Sequence, residues 1–203
     1  MLMSLSKKDA LFLTFIYLVS FANMYISDLP GILKGQLIDQ LEMSSQKANY
    51  FYSLLYSCYN LPVIFVVFFV GLSVDLFGSG IVACLITLFF TFGTFFYTGQ
   101  CLFGVGISLK TPILMAIGRF FAGIGGSCFS VLQYSWILQR LHFKSAVMPL
   151  AMLNVFGRLG SLANVWLTPR ISQIYGMAGA VNAATGLCFV AMMLCFMAYN
   201  LDE

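Results

Sequence analysis

Charge is the scarcest property of this sequence. Only 8% of its 203 residues are Asp, Glu, Lys or Arg, whereas soluble domains carry about 25%. So small a charged fraction cannot cover a water-exposed surface, and 61% of the residues are hydrophobic. The composition therefore indicates an integral membrane protein in contact with lipid. The net charge of +3 is too small and too scattered to indicate a nucleic-acid partner.

The residue types that build catalytic and metal sites are also few. The chain has one histidine, and its six cysteines do not show the spacing of metal ligands. All but one of these cysteines fall inside apolar stretches, which favours a packing role over a disulfide framework. No nucleophile–base group and no intramembrane pair of acids can be identified. We therefore expect no enzyme activity, no metal and no cofactor.

Long apolar runs are abundant. Six runs are long enough to cross a bilayer, at about 10–29, 48–72, 80–103, 112–138, 146–167 and 178–199. Pro30 closes the first run, Pro112 opens the fourth, Pro149 falls in the first turn of the fifth, and Pro169 ends it. Pro62 lies inside the second run and should bend that helix. The predicted fold class is an all-α membrane protein with six transmembrane helices, forming a single domain over residues 1–203.

Arg158 lies near the middle of the fifth run, where a charge costs about 2.5 kcal/mol or more. Polar residues share its predicted helix face, because they follow one another at steps of three or four: Asn154, Ser161, Asn164 and Thr168. Runs one, two and four carry similar stripes, which include Asn23, Tyr56, and Arg119 with Gln133. Two arrangements remain open, namely four helices around a polar cavity or interhelical hydrogen bonds in a packed bundle. For the fifth run, the arginine favours the cavity.

A glycine-rich segment, Gly71-Leu-Ser-Val-Asp75-Leu-Phe-Gly78, separates the second and third runs. Its spacing resembles the signature loop of the major facilitator superfamily, Gly-x-x-x-Asp-x-x-Gly, although the basic residues that often follow in the family are absent here. The resemblance implies a cytoplasmic loop in which Asp75 takes part in gating between two transporter halves.

Two further segments are similar to the lysosomal dipeptide-transporter branch of this superfamily. They are Gly118-Arg119-Phe-Phe-Ala-Gly123-Ile-Gly125-Gly126 with Gln133, and Gly157-Arg158-Leu-Gly160-Ser161 with Asn164. The resemblance implies the N-terminal six-helix half of a major-facilitator transporter, built as a 3+3 inverted repeat. It also implies that Arg158 binds a substrate carboxylate. Ser127 stands where the branch commonly has an acid suited to a substrate amine.

The candidate residues fall into two groups. The proposed substrate-binding residues are Arg158, Asn154, Ser161, Asn164, Gln133, Tyr56 and Asn23. The proposed gating or structural residues are Asp75, Gly71, Gly78, Arg119, Gly123 and Gly126. For Arg119 two interpretations remain open, because its side chain can extend to the membrane interface or pair with Asp28.

Two functions from different classes fit the sequence. The first is half of a transporter for a small carboxylate-bearing solute such as a dipeptide or amino acid. It needs a second six-helix half or a homodimer partner, since alternating access moves one half against the other. The alternative is a transporter-derived accessory subunit of a larger organellar membrane complex, such as a mitochondrial respiratory complex, without transport activity. Its partners would be membrane lipid and the other subunits. The resemblance implies a lysosomal location, and a mitochondrial or other organellar membrane stays open.

Overall fold

The computed structural model describes residues 7–41, 45–76, 97–141 and 143–200. In chain order the helices are α1 (Lys7–Ser27), α2 (Leu29–Ile32), α3 (Lys34–Leu41), α4 (Ser45–Leu76), α5 (97–108), α6 (Pro112–Arg140) and α7 (Phe143–Asn200). These described ranges contain no strand, so the prediction of an all-helical chain is confirmed for them. Helices are expected here, because a backbone in hydrocarbon must satisfy its own hydrogen bonds.

Within the described residues, four helical stretches are long and apolar enough to cross a membrane: Lys7–Ile32, Asn49–Phe69, Pro112–Arg140 and Ala146–Ala198. They coincide with the predicted first, second, fourth, and combined fifth and sixth runs. Most of the predicted third run, 80–103, lies outside the described residues, and α5 continues beyond its predicted end to residue 108. The polar segment between the first and second apolar runs contains a helix, α3.

Two proline predictions for the fifth run are wrong. Pro149 lies in the second turn of α7 rather than in the first, and α7 continues through Pro169 instead of ending there. Membrane helices tolerate such prolines when neighbouring groups satisfy the freed backbone. The interruption comes at Gly176, with φ 72° and ψ 175°, a conformation that side-chain-bearing residues rarely adopt. It divides α7 into a first arm before Gly176 and a second arm after it.

The length of α7 also requires an interruption, which Gly176 provides. A straight helix of 53 residues, as in Ala146–Ala198, would be about 80 Å long at a rise of about 1.5 Å per residue. The hydrocarbon layer is only about 30 Å thick. Each arm alone is long enough for one crossing.

Glycines allow the helices to pack at very short distances. A Cβ atom on Gly160 in α7 would lie 2.1 Å from the backbone oxygen of Phe21 in α1, and one on Gly123 in α6 would lie 2.1 Å from that of Tyr59 in α4. Helix association in lipid depends on such close backbone approach. The two main packed pairs are therefore α1 with the first arm of α7, and α4 with α6.

α1 and α6 are antiparallel along their whole length. Asp9 at the start of α1 forms a 2.9 Å salt bridge with Arg140 at the end of α6. At the other end of the pair, Arg119 donates to the backbone oxygen of Ser27 at 2.8 Å. We call these the Arg140 end and the Arg119 end. At about 1.5 Å per residue the two arginines are about 30 Å apart along α6, which matches the thickness of the hydrocarbon layer.

The glycine contact between α1 and α7 makes a testable prediction. Gly160→Ala should lower the thermal midpoint by several degrees, because overpacking costs about 1–3 kcal/mol and each kcal/mol shifts a chain of this size by about 2–4 °C. Trp136 fluorescence in detergent reports the transition, because this buried residue packs on Phe12 of α1 at a ring-centroid distance of 5.1 Å.

The matched control is Gly186→Ala, since a Cβ there meets nothing within 4 Å. Its midpoint should stay the same or rise slightly, because alanine is the better helix former. Equal midpoints for the two variants would contradict the close packing of α1 on α7.

Candidate functional site

Arg158 is exposed on the first arm of α7 and forms no salt bridge among the described residues. Asn154, one turn earlier, is also exposed and accepts a 2.7 Å hydrogen bond from the hydroxyl of Tyr134 in α6. Ser161, one turn later, is half-buried, and its hydroxyl has no partner in the described part of the chain. These three residues form the exposed polar edge of α7, on the side that faces α6.

The predicted polar face of α7 is divided in two. Asn164 and Thr168 are fully buried against α1 rather than exposed with Arg158. Thr168 donates to the side-chain oxygen of Asn164 and accepts a 2.9 Å hydrogen bond from the hydroxyl of Tyr25. The reason is geometric, because steps of three and four at about 100° per residue spread the stripe over an arc of about 120°. One edge of that arc faces α1 and the other faces outward.

The polar residues of α1 and α6 lie in the interface between helices. Asn23 is buried and donates to the backbone oxygen of Gly126 at 2.9 Å. Ser20 donates to the backbone oxygen of Leu153 at 3.1 Å, and Gln133 is buried. Part of the predicted polar pattern is therefore interhelical hydrogen bonding.

Several of these buried polar groups are incompletely paired. In the described part of the chain, buried side-chain atoms without a hydrogen-bond partner include Oδ1 of Asn23, Nε2 of Gln133, Oγ of Ser161 and Nδ2 of Asn164. A buried polar atom without a partner costs about 1–3 kcal/mol. Four of the seven predicted substrate-binding residues thus hold unused hydrogen-bonding capacity, which for Asn23, Gln133 and Asn164 lies in buried positions.

Tyr56 does not join this group. Its ring packs on Tyr52 at 5.0 Å, and its hydroxyl would lie 2.9 Å from a Cβ placed on Gly31. Gly157, one residue before Arg158, instead contacts Ser20 and Met24 of α1. Tyr56 therefore lies about two helical turns nearer the Arg119 end than Arg158 does.

Arg119 follows neither of the two predicted arrangements. Its exposure is 0%, so its side chain does not extend to an exposed surface, and it forms no salt bridge with Asp28, although Asp28 stabilises its charge at longer range. Its guanidinium carbon lies 4.7 Å from the ring centre of Tyr59 and 5.6 Å from that of Phe103. Desolvated cation–π contacts contribute about 2 kcal/mol, whereas burying an ion costs several kcal/mol, so these rings offset only part of the cost.

The predicted gating segment is described only in part. Gly71 and Asp75 belong to the last turns of α4, and Gly78 lies outside the described residues. The contacts of these three residues stay a prediction.

Sequence reasoning missed several residues that connect the helices. The salt bridge between Asp9 and Arg140 was not anticipated, although both residues lie near ends of apolar runs. Tyr25 and Tyr134 also escaped notice, because a tyrosine in an apolar run has no periodic signal of its own. The described residues contain no group of three or more metal-ligating side chains.

No protein-family model matches the sequence. The sequence is similar to the lysosomal dipeptide transporter MFSD1 of Danio rerio, with 26% identity over 191 residues, and to that of Homo sapiens, with 24% identity over 194 residues. The matches cover 92% and 89% of this chain, respectively, but only 39% of each relative. The chain therefore spans about two fifths of the length of these relatives.

The protein of the same name from Mus musculus is 25% identical over 178 residues. The resemblance identified from the motifs around Arg119 and Arg158 is thereby confirmed. The chain is a membrane protein, similar over about nine tenths of its length to lysosomal dipeptide transporters of the major facilitator superfamily.

Proposed function

We propose that this chain is one six-helix half of a major-facilitator transporter for a small carboxylate-bearing solute such as a dipeptide or amino acid. The observation that carries the proposal is the position of Arg158, exposed at bilayer depth and without a salt-bridge partner among the described residues. An arginine cannot lose its charge there, and its planar group suits a carboxylate. The names of its relatives support a dipeptide as solute and the lysosomal membrane as location.

The unused polar atoms near Arg158 support the same function. Ser161 Oγ and Asn164 Nδ2 lie on the same helix arm, and Asn23 Oδ1 lies on the adjacent α1. Ser161 supplies a hydroxyl, unpaired in the described part of the chain, one turn from this fixed positive charge, whereas Asn23 and Asn164 are buried in the interfaces between helices. A peptide carries the complementary groups, since its backbone has both N–H and C=O groups in addition to the carboxylate.

The packing of the helices supports a half built from two inverted repeats of three helices. In such a half the first span, α1, is equivalent to the fourth, α6, and the second span, α4, is equivalent to the fifth, the first arm of α7. The packed pair of α1 with α7 is then equivalent to the packed pair of α6 with α4. The site opens outward from this half, so we expect a second six-helix half to cover Arg158 and complete the cavity.

Cysteine labelling tests whether Arg158 faces water. In a background without native cysteines, Arg158→Cys should react with a charged, membrane-impermeant thiol reagent, because the reactive thiolate needs an aqueous surrounding. Leu159→Cys is the matched control. Leu159 is 44% exposed and lies about 100° further around α7, toward the lipid side. It should react at least about tenfold more slowly, and equal labelling rates would contradict a polar cavity at Arg158.

Solute transport tests the role of the charge. In proteoliposomes, Arg158→Gln should lower kcat/KM for dipeptide uptake by roughly 10- to 150-fold, since a hydrogen bond to a charged group contributes about 1.5–3 kcal/mol. A dipeptide with an amidated C-terminus should be a poor substrate of the native chain for the same reason.

Arg170→Gln is the matched control for uptake. Arg170 is exposed on the same helix and lies over the ring of Trp166 at 4.0 Å, away from the proposed site. Its uptake should equal that of the native chain. If Arg158→Gln also matches the native chain, the anchor role is wrong. If no dipeptide is taken up even when a second six-helix half is present, an accessory-subunit function replaces the transporter.

A further inference from the structure

Arg119 keeps unused hydrogen-bond donors in a fully buried position. Its Nη2 atom donates to the backbone oxygen of Ser27, but its Nε and Nη1 atoms have no partner in the described part of the chain. The neighbouring hydroxyl is already committed, because Tyr59 donates to Ser27 Oγ at 2.8 Å while Ser27 Oγ donates to the backbone oxygen of Asn23. The position of the guanidinium is thus fixed, and two of its three nitrogens are available.

No acid with a described side chain forms a salt bridge with this arginine, although Asp28 is close enough to stabilise its charge at longer range. Asp9 pairs with Arg140 at the opposite end of α6. Asp28, which lies next to Ser27, and Asp39 in α3 form no salt bridge with Arg119. Burial of an ion without a counter-charge is unfavourable, and cation–π contacts with Tyr59 and Phe103 do not supply a negative charge.

We propose that Arg119 binds a small monovalent anion of halide size, at a site distinct from Arg158. The two available donor atoms provide the hydrogen bonds, and the guanidinium provides the charge. The small size follows from the surroundings, because the rings of Tyr59 and Phe103 lie near the guanidinium and its exposure is 0%.

A second cation, Lys34, lies near the tyrosines that neighbour Arg119. Lys34 in α3 is half-buried, and its amine lies 4.5 Å from the ring centre of Tyr52. The hydroxyls of Tyr52 and Tyr56 converge at Gly31, at 3.3 and 2.9 Å from a Cβ built there. Lys34 therefore attracts anions toward the pair of tyrosines that lies between it and Arg119.

The anion site is tested by thermal unfolding of the purified full chain at constant ionic strength. Replacing gluconate by chloride should raise the midpoint of the native chain by roughly 2–4 °C, because a ligand that binds only the folded state stabilises it. Arg119→Gln should abolish this shift. Arg158→Gln should retain it in full, which separates this site from the proposed substrate site.

Two further measurements cover the case in which Arg119→Gln does not fold. Lys34→Gln, outside the buried core, should raise the half-saturating chloride concentration several-fold. Crystals grown in bromide should show an anomalous difference peak within hydrogen-bonding distance of Arg119. Equal midpoints of the native chain in chloride and gluconate overturn the proposal, as does a bromide-containing crystal without this peak. Either result would mean that water or Asp28 satisfies the guanidinium.

Discussion

Hydrocarbon accepts no unpaired polar group, and the described structure depends on this constraint. It explains why the chain is helical, why glycines bring backbones into direct contact, and why side chains such as Ser20 and Asn23 donate to backbone oxygens of neighbouring helices. Buried polar atoms without a hydrogen-bond partner are exceptions to this constraint. A polar atom that stays unpaired in such a bundle marks a place where a further ligand or helix is needed.

Arg119 and Arg158 meet this constraint differently. Arg119 is enclosed by α1, α4, α5 and α6, and its position is fixed by Ser27 and two aromatic rings. Arg158 lies at the surface of the described helices beside Asn154, where a second half or a solute can reach it. The first charge therefore belongs to the interior of the described helices, and the second belongs to the surface that the proposed second half would cover.

The sequence predicts the helical class and the approximate helix positions, because long apolar runs and the starting Pro112 are local signals. It does not predict that α7 passes Pro169, since that outcome depends on tertiary packing and on the backbone angle at Gly176. It also fails to separate buried Asn164 from exposed Arg158. Spacing gives only the arc that a stripe covers, whereas the position of α1 decides which edge is buried.

The central claim is that Arg158 anchors the carboxylate of a small solute. The most direct test is an experimental structure of the chain in a lipid nanodisc with a bound dipeptide. The account predicts a carboxylate oxygen within about 3 Å of the Arg158 guanidinium, with the peptide backbone facing Asn154 and Ser161. A structure in which lipid or an unrelated subunit covers Arg158, or in which the dipeptide binds elsewhere, would contradict it.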